Sequence, residues 1–213
     1  MYIGSKPADK VLTASDITDG VVSNAKLAQD IMSAETALTT EPASTDELLL
    51  SDAGTLKRID YSLMSNRPAF LAKYGSTVSS ISEASNVKME GFDTELYDTD
   101  STFASNRFTP AVAGKYYLYG AVSNYGASTI SNQSAYLYKN GSLFANFQDV
   151  FDSAVIKANS TGTVRWSITD TADADDYYEV YFYQDNSGNN TYSIYGESAT
   201  IYTFFGAYKL IGV

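Results

Sequence analysis

Cysteine and histidine are both absent from this 213-residue chain. Without thiols there is no disulfide staple and no thiolate nucleophile; without imidazole, zinc loses its usual nitrogen donor and Ser-His-Asp catalysis loses its base. Stability must therefore come from packing and assembly. Positive charge is also scarce, since 14 Lys and Arg stand against 25 Asp and Glu for a formal net charge of -11. A surface of that sign repels phosphate backbones and anionic lipid, which argues against a nucleic-acid or membrane partner. No apolar run approaches a membrane span in length, and residues 1–7 carry no hydrophobic signal core. The expectation is a chain made in a cytoplasm, with no cofactor and no metal.

Aromatic rings are abundant: 18 Tyr and 10 Phe beside a single Trp. Such side chains favour strands and half-buried surfaces over helices. The length suits one all-β domain with an extension.

Residues 1–45 are rich in Ala, Ser, Thr and Asp and too poor in aromatics to build a core. Ser23 or Asn24 is placed to cap a short helix that sets Leu27, Ala28, Ile31 and Met32 on one stripe. Residues 46–61 read as a hairpin about a turn at 51–54, a unit barely stable in water without neighbours. Ser65-Asn66-Arg67-Pro68 marks a boundary, because the proline restricts the residue before it. The organisation expected is an extended stalk over 1–67 and a sandwich over 68–213. Ten strands are predicted in the sandwich, at 69–74, 87–89, 107–108, 114–124, 134–139, 142–147, 153–157, 163–169, 177–184 and 200–213. Asn140-Gly141 predicts a type I′ hairpin turn that pairs Tyr138 with Leu143 and Leu137 with Phe144. The lone Trp166 shares a face with Val164 and Ile168, which reads as core.

The stretch 106–119 organises the rest. Phe108, Gly114 and Tyr116 surround a turn at Pro110 and lead into an alternating strand, with Tyr117, Tyr119 and Ala121 on one face and Tyr116, Leu118, Gly120 and Val122 on the other. This spacing resembles the central signature of the complement globular-head family, with Leu118 where that family usually has an aromatic. The resemblance implies a ten-stranded, tumour-necrosis-factor-like jelly roll that assembles as a homotrimer. Residues 15–64, with Ile17-Thr18-Asp19-Gly20, Lys26-Leu27-Ala28 and Leu56-Lys57-Arg58-Ile59-Asp60-Tyr61, resemble stalk segments of bacteriophage fibre proteins. That second resemblance implies a virion protein anchored to other virion proteins through residues 1–67.

Four groups of candidate residues follow. The polar loop at 185–196 offers Asn189, Asn190, Tyr192 and Tyr195 as a ligand surface for a host glycan; the competing reading is a hairpin whose tyrosines only pack across strands. The last strand is apolar on both faces, and the trimer implied by the family resemblance places Phe204, Gly206, Tyr208 and Leu210 against neighbouring copies. Glu90, Asp93, Glu95, Asp98 and Asp100 have the residue type a polysaccharide-cleaving tailspike needs, but no spacing that sets two carboxylates apart as glycoside hydrolysis requires, so no catalytic residue is assigned. Asp173, Asp175 and Asp176 lack the glycine and terminal glutamate of a calcium loop and read as a solvated turn. The functional expectation is a fibre knob for host attachment, with capsid decoration or an adaptor role as the alternative.

Overall fold

A computed structural model of the chain describes residues 36–43, 45–126, 129–150, 161–186 and 191–212, without the side chains of 149 and 150. The candidate helix at 27–32, the predicted strand at 153–157, and Asn189 and Asn190 lie outside the described residues. Contacts divide the chain into Met1–Pro42 and Ala43–Val213. The described part of the first unit, 36–42, has no regular structure.

The second unit begins with an antiparallel hairpin of β1 (Glu47–Asp52) and β2 (Thr55–Asp60), in register from Glu47 opposite Asp60 to Asp52 opposite Thr55. Gly54 and Ala53 take positive φ at its turn. Leu49 and Leu56 are 75% and 70% exposed, so this hairpin buries little of its own apolar surface.

The remaining strands are β3 (Ala69–Lys73), β4 (Val78–Ile81), β5 (Val87–Lys88), β6 (Thr94–Asp98), β7 (Phe103–Ala104), β8 (Arg107–Phe108), β9 (Gly114–Gly126), β10 (Ile130–Lys139), β11 (Ser142–Val150), β12 (Thr161–Ala172), β13 (Tyr178–Asn186), β14 (Tyr192–Ile194) and β15 (Phe204–Lys209). Their pairing is that of a ribbon rolled about one hairpin. At its centre β10 turns into β11 through Asn140 (φ 52°) and Gly141 (φ 75°), the positive values a type I′ turn demands. Outside this hairpin β9 pairs with β12, then β8 with β13, then β3 with β15, all antiparallel. Successive pairs fall in alternate sheets: β11-β10-β13-β8-β7, with β5 beside β13, and β4-β14-β9-β15-β3-β6, with β12 beside β9. A ribbon wound so that its pairs alternate between two packed sheets is a jelly roll.

The two sheets close on an aromatic core. Phe70 stacks on Phe103 at 4.6 Å and on Phe108 at 4.8 Å, and meets Phe205 edge-on at 4.9 Å. Tyr116, Leu118 and Val122 are fully buried from β9, and Trp166 is 6% exposed between Phe147 and Phe205. The core face expected for β9 and for Trp166 is the one observed.

Three expectations need correction. The described residues hold more than ten sandwich strands: β4, β6 and β14 are short segments without strong alternation that pair only through tertiary neighbours, and β7 is a two-residue strand turned back on β8 through Ser105 and Asn106. The last strand is β15, six residues at Phe204–Lys209, rather than all of 200–213. At the central hairpin Tyr138 does face Leu143, but a bulge between Leu137 and Tyr138 sets Leu137 opposite Ala145 and leaves Phe144 without the partner expected.

Candidate functional site

The outer face of the second sheet collects rings that the core does not use. Cross-strand pairing sets Tyr97, Leu71, Gly206, Tyr119 and Ser167 side by side on β6, β3, β15, β9 and β12. The flanking rows are Ala69, Tyr208, Tyr117 and Thr169 on one side, and Lys73, Phe204, Ala121 and Arg165 on the other. Tyr117 packs on Tyr119 at 5.6 Å and on Tyr208 at 5.4 Å, while Tyr119 meets Phe204 at 6.1 Å. These four rings are half-buried, and Tyr97 at the edge is 43% exposed.

Gly206 makes room for the Tyr119 ring in this plate. A Cβ there would sit 2.6 Å from the Tyr119 ring, so only glycine lets that ring cross β15. The Tyr119 hydroxyl then lies 3.2 Å from that of Tyr97. Burial first, and then this hydrogen bond, push the Tyr119 hydroxyl well above the usual phenol range, so it stays neutral at any physiological pH. An open groove of about 380 Å³ runs beside the plate, bounded by Tyr117, Tyr119, Phe204, Arg165 and Ser167.

Of the residues read from sequence as an assembly surface, Phe204, Gly206 and Tyr208 lie in this plate. Leu210 is half-buried just past β15, its amide donating to the Lys115 carbonyl at 2.8 Å. Alternation along β9 puts Tyr117 and Tyr119 on one face in the sequence but assigns them no role. Tyr97 was missed altogether, since only the β3–β6 pairing brings it there.

The ligand loop is less unified. Tyr192 is 2% exposed, packs edge-on against Phe182 at 5.8 Å and lies in the core, which removes its ring from any surface. Tyr195 is half-buried against Tyr202 at 5.7 Å and Tyr125 at 6.2 Å. The two tyrosines thus do not share a face open to a ligand.

Most of the carboxylates singled out by type are structural. Asp98 accepts from the amides of Thr102 and Phe103 at 3.0 and 2.8 Å, and Asp93 from the amide of Gly75 at 2.7 Å. Asp100 pairs with Arg67 at 3.3 Å. Asp176 closes its turn by accepting from the Asp173 amide at 2.8 Å, Asn140 at 2.6 Å and Lys139 at 2.9 Å. Burial works against its charge, but the hydrogen bonds from Lys139 and Asn140 prevail and hold the carboxyl below its usual range.

No family model and no curated protein matches the chain. Among solved structures it is similar to the globular domain of a zebrafish complement 1qA protein, at 17% identity and a TM-score of 0.46, over 69% of this chain and 98% of that one. It is also similar to an Eiger TNF from S. frugiperda, at 12% identity and a TM-score of 0.49, over 69% and 96% of the two chains. Murine APRIL aligns at 10% identity and a TM-score of 0.44, over 67% of this chain and 98% of its own.

Proposed function

We infer that the chain is a structural subunit of a bacteriophage particle. Three copies assemble through the outer face of the second sheet, residues 1–67 dock on other virion proteins, and residues 68–213 form a knob that meets a host-surface polysaccharide. The observation that carries the assembly step is the plate of Tyr97, Tyr117, Tyr119, Phe204 and Tyr208, aromatic residues gathered on the outside of an already filled sandwich. Rings clustered on an outer face gain most by meeting another protein surface. The count of three follows the resemblance carried by Phe108, Gly114 and Tyr116, and the particle follows the stalk-like style of residues 15–64. The step from fold to host recognition is analogy, supported by the avidity that three linked weak sites provide.

Two measurements test the reading. Sedimentation of the full chain should give a trimer at micromolar concentration; a stable monomer would contradict the assembly. The purified trimer should bind host cells saturably and block adsorption of the virions that carry it. A correctly formed trimer that leaves adsorption unchanged would move the role to capsid decoration.

A further inference from the structure

Away from the aromatic plate, the loops around β7 and β8 enclose a cleft of about 470 Å³, within the roughly 300–1,000 Å³ range of small-ligand sites. Both charged residues that line it are cations, Lys88 and Arg107, in a chain of net charge -11. Both are braced by Glu179, whose side chain is 5% exposed: Arg107 donates through Nε at 3.0 Å and Nη2 at 2.8 Å, and Lys88 Nζ lies at 2.8 Å. The Arg107 guanidinium also lies 3.8 Å over the Tyr177 ring. Two cations on one carboxylate leave an excess of one positive charge, and Arg107 Nη1 makes no hydrogen bond within the described residues. Asp98 and Asp100, nearby in sequence, are turned to backbone amides and to Arg67 and do not line the cleft. Ser101, Ser105 and Thr109 add hydroxyls free of hydrogen bonds within the described residues, and Ala104 and Ala111 add methyl groups.

We propose that this cleft binds a carboxylate-bearing sugar, a uronic acid unit of a polysaccharide, with the carboxylate on Arg107 and Lys88 and the ring hydroxyls on Ser101, Ser105 and Thr109. The chemistry selects this class. A guanidinium held in place by a buried carboxylate and an aromatic face is a preorganised carboxylate receptor. Three hydroxyls that can each donate and accept match the hydroxyls of a sugar ring, and the alanine methyls suit the C–H edges of a pyranose. The inference rests on the glycan-binding reading above and narrows it to an acidic glycan.

The test is titration of the full-length protein, by calorimetry and by NMR of the sugar, with glucuronic acid, glucose and acetate as probes. Glucuronate is expected to bind while glucose does not, and acetate to bind at least about tenfold more weakly, the cost of losing one or two hydrogen bonds. Added salt should weaken the binding, because the anion meets local cations; an anion feeling only the protein's net charge would bind more tightly as salt screened the repulsion. Arg107→Gln should abolish binding. Thr109→Val, which keeps shape and leaves the ion cluster intact, should reduce glucuronate affinity several-fold without changing that of acetate, so the outcome does not depend on whether the arginine variant folds. Equal binding of acetate and glucuronate, equal binding of glucose, or no binding by folded protein overturns the proposal. If glucuronate fails while the protein still blocks virion adsorption, this cleft is wrong and the fibre reading stands; if glucuronate binds and adsorption is untouched, the reverse holds.

Discussion

Phe108 shows how much rests on one side chain. It is fully buried, stacks on Phe70 at 4.8 Å, and meets Tyr116 at 5.7 Å and Tyr178 at 6.2 Å, so it joins rings from both sheets. Phe108→Ala removes that bridge and leaves a cavity, and should cost about 3–5 kcal/mol in urea unfolding at fixed protein concentration. Glu179 links stability to pH. Burial opposes its charge, yet the hydrogen bonds from Lys88 and Arg107 win and hold the carboxyl below its ordinary 4.5. As pH falls the unfolded chain therefore takes up this proton first. The stabilisation is complete above the unfolded value and is lost as pH drops from there through the folded one. Urea midpoints of wild type and Glu179→Gln should accordingly differ at pH 7 and converge in acid; a gap that stays constant down to pH ~3 would show that this carboxylate is not the acid-sensitive group.

Among the elements, the β10–β11 hairpin can be tested most directly. Asn140 adopts φ 52° and also ties the hairpin to the loop before β13, its Nδ2 donating to Asp176 at 2.6 Å and its Oδ1 accepting from the Tyr177 amide at 2.9 Å. Asn140→Ala loses both bonds and a residue tolerant of positive φ. The expected loss is about 1–3 kcal/mol, from two hydrogen bonds at roughly 0.5–1.5 kcal/mol each. Asn140→Gly keeps the backbone freedom and loses only the bonds, so it should fall between the alanine variant and wild type in thermal unfolding. On β15 the effect is different in kind. Gly206→Ala meets the far end of the Tyr119 side chain, which can swing aside, so the fold should lose little while the ring leaves its place beside Tyr97.

At the scale of the whole molecule that displacement becomes a readout of assembly. If three copies meet on the plate, Gly206→Ala and the double variant Tyr119→Ser/Tyr208→Ser should dissociate the trimer in sedimentation while circular dichroism keeps the strand signal. Dissociation together with loss of that signal would instead mean that the plate supports the monomer fold. The leucines of the β1–β2 hairpin belong to the same question. Leu49 and Leu56, 75% and 70% exposed in the single chain, should become protected from solvent in the assembled protein, measurable as slowed amide exchange along β1 and β2.

Sequence alone determined what depends on near neighbours along the chain. The Asn140-Gly141 turn follows from two residues able to take positive φ, and the alternation of β9 from the two-residue period of a strand; both are legible without any tertiary contact. The core position of Trp166 and the shared face of Tyr117 and Tyr119 follow in the same way. Tertiary structure decided what joins residues far apart. Tyr97 reaches Tyr119 only because β3 lies between β6 and β15, and Tyr192 is core because β14 pairs with the end of β9 and turns its ring toward Phe182. Arg107 and Glu179 are 72 residues apart and make their ion pair only across the β8–β13 pairing. A polar loop rich in tyrosine has the same sequence whether its rings face water or the core. Which it is depends on the strand it pairs with, and that choice is made by the rolled ribbon as a whole.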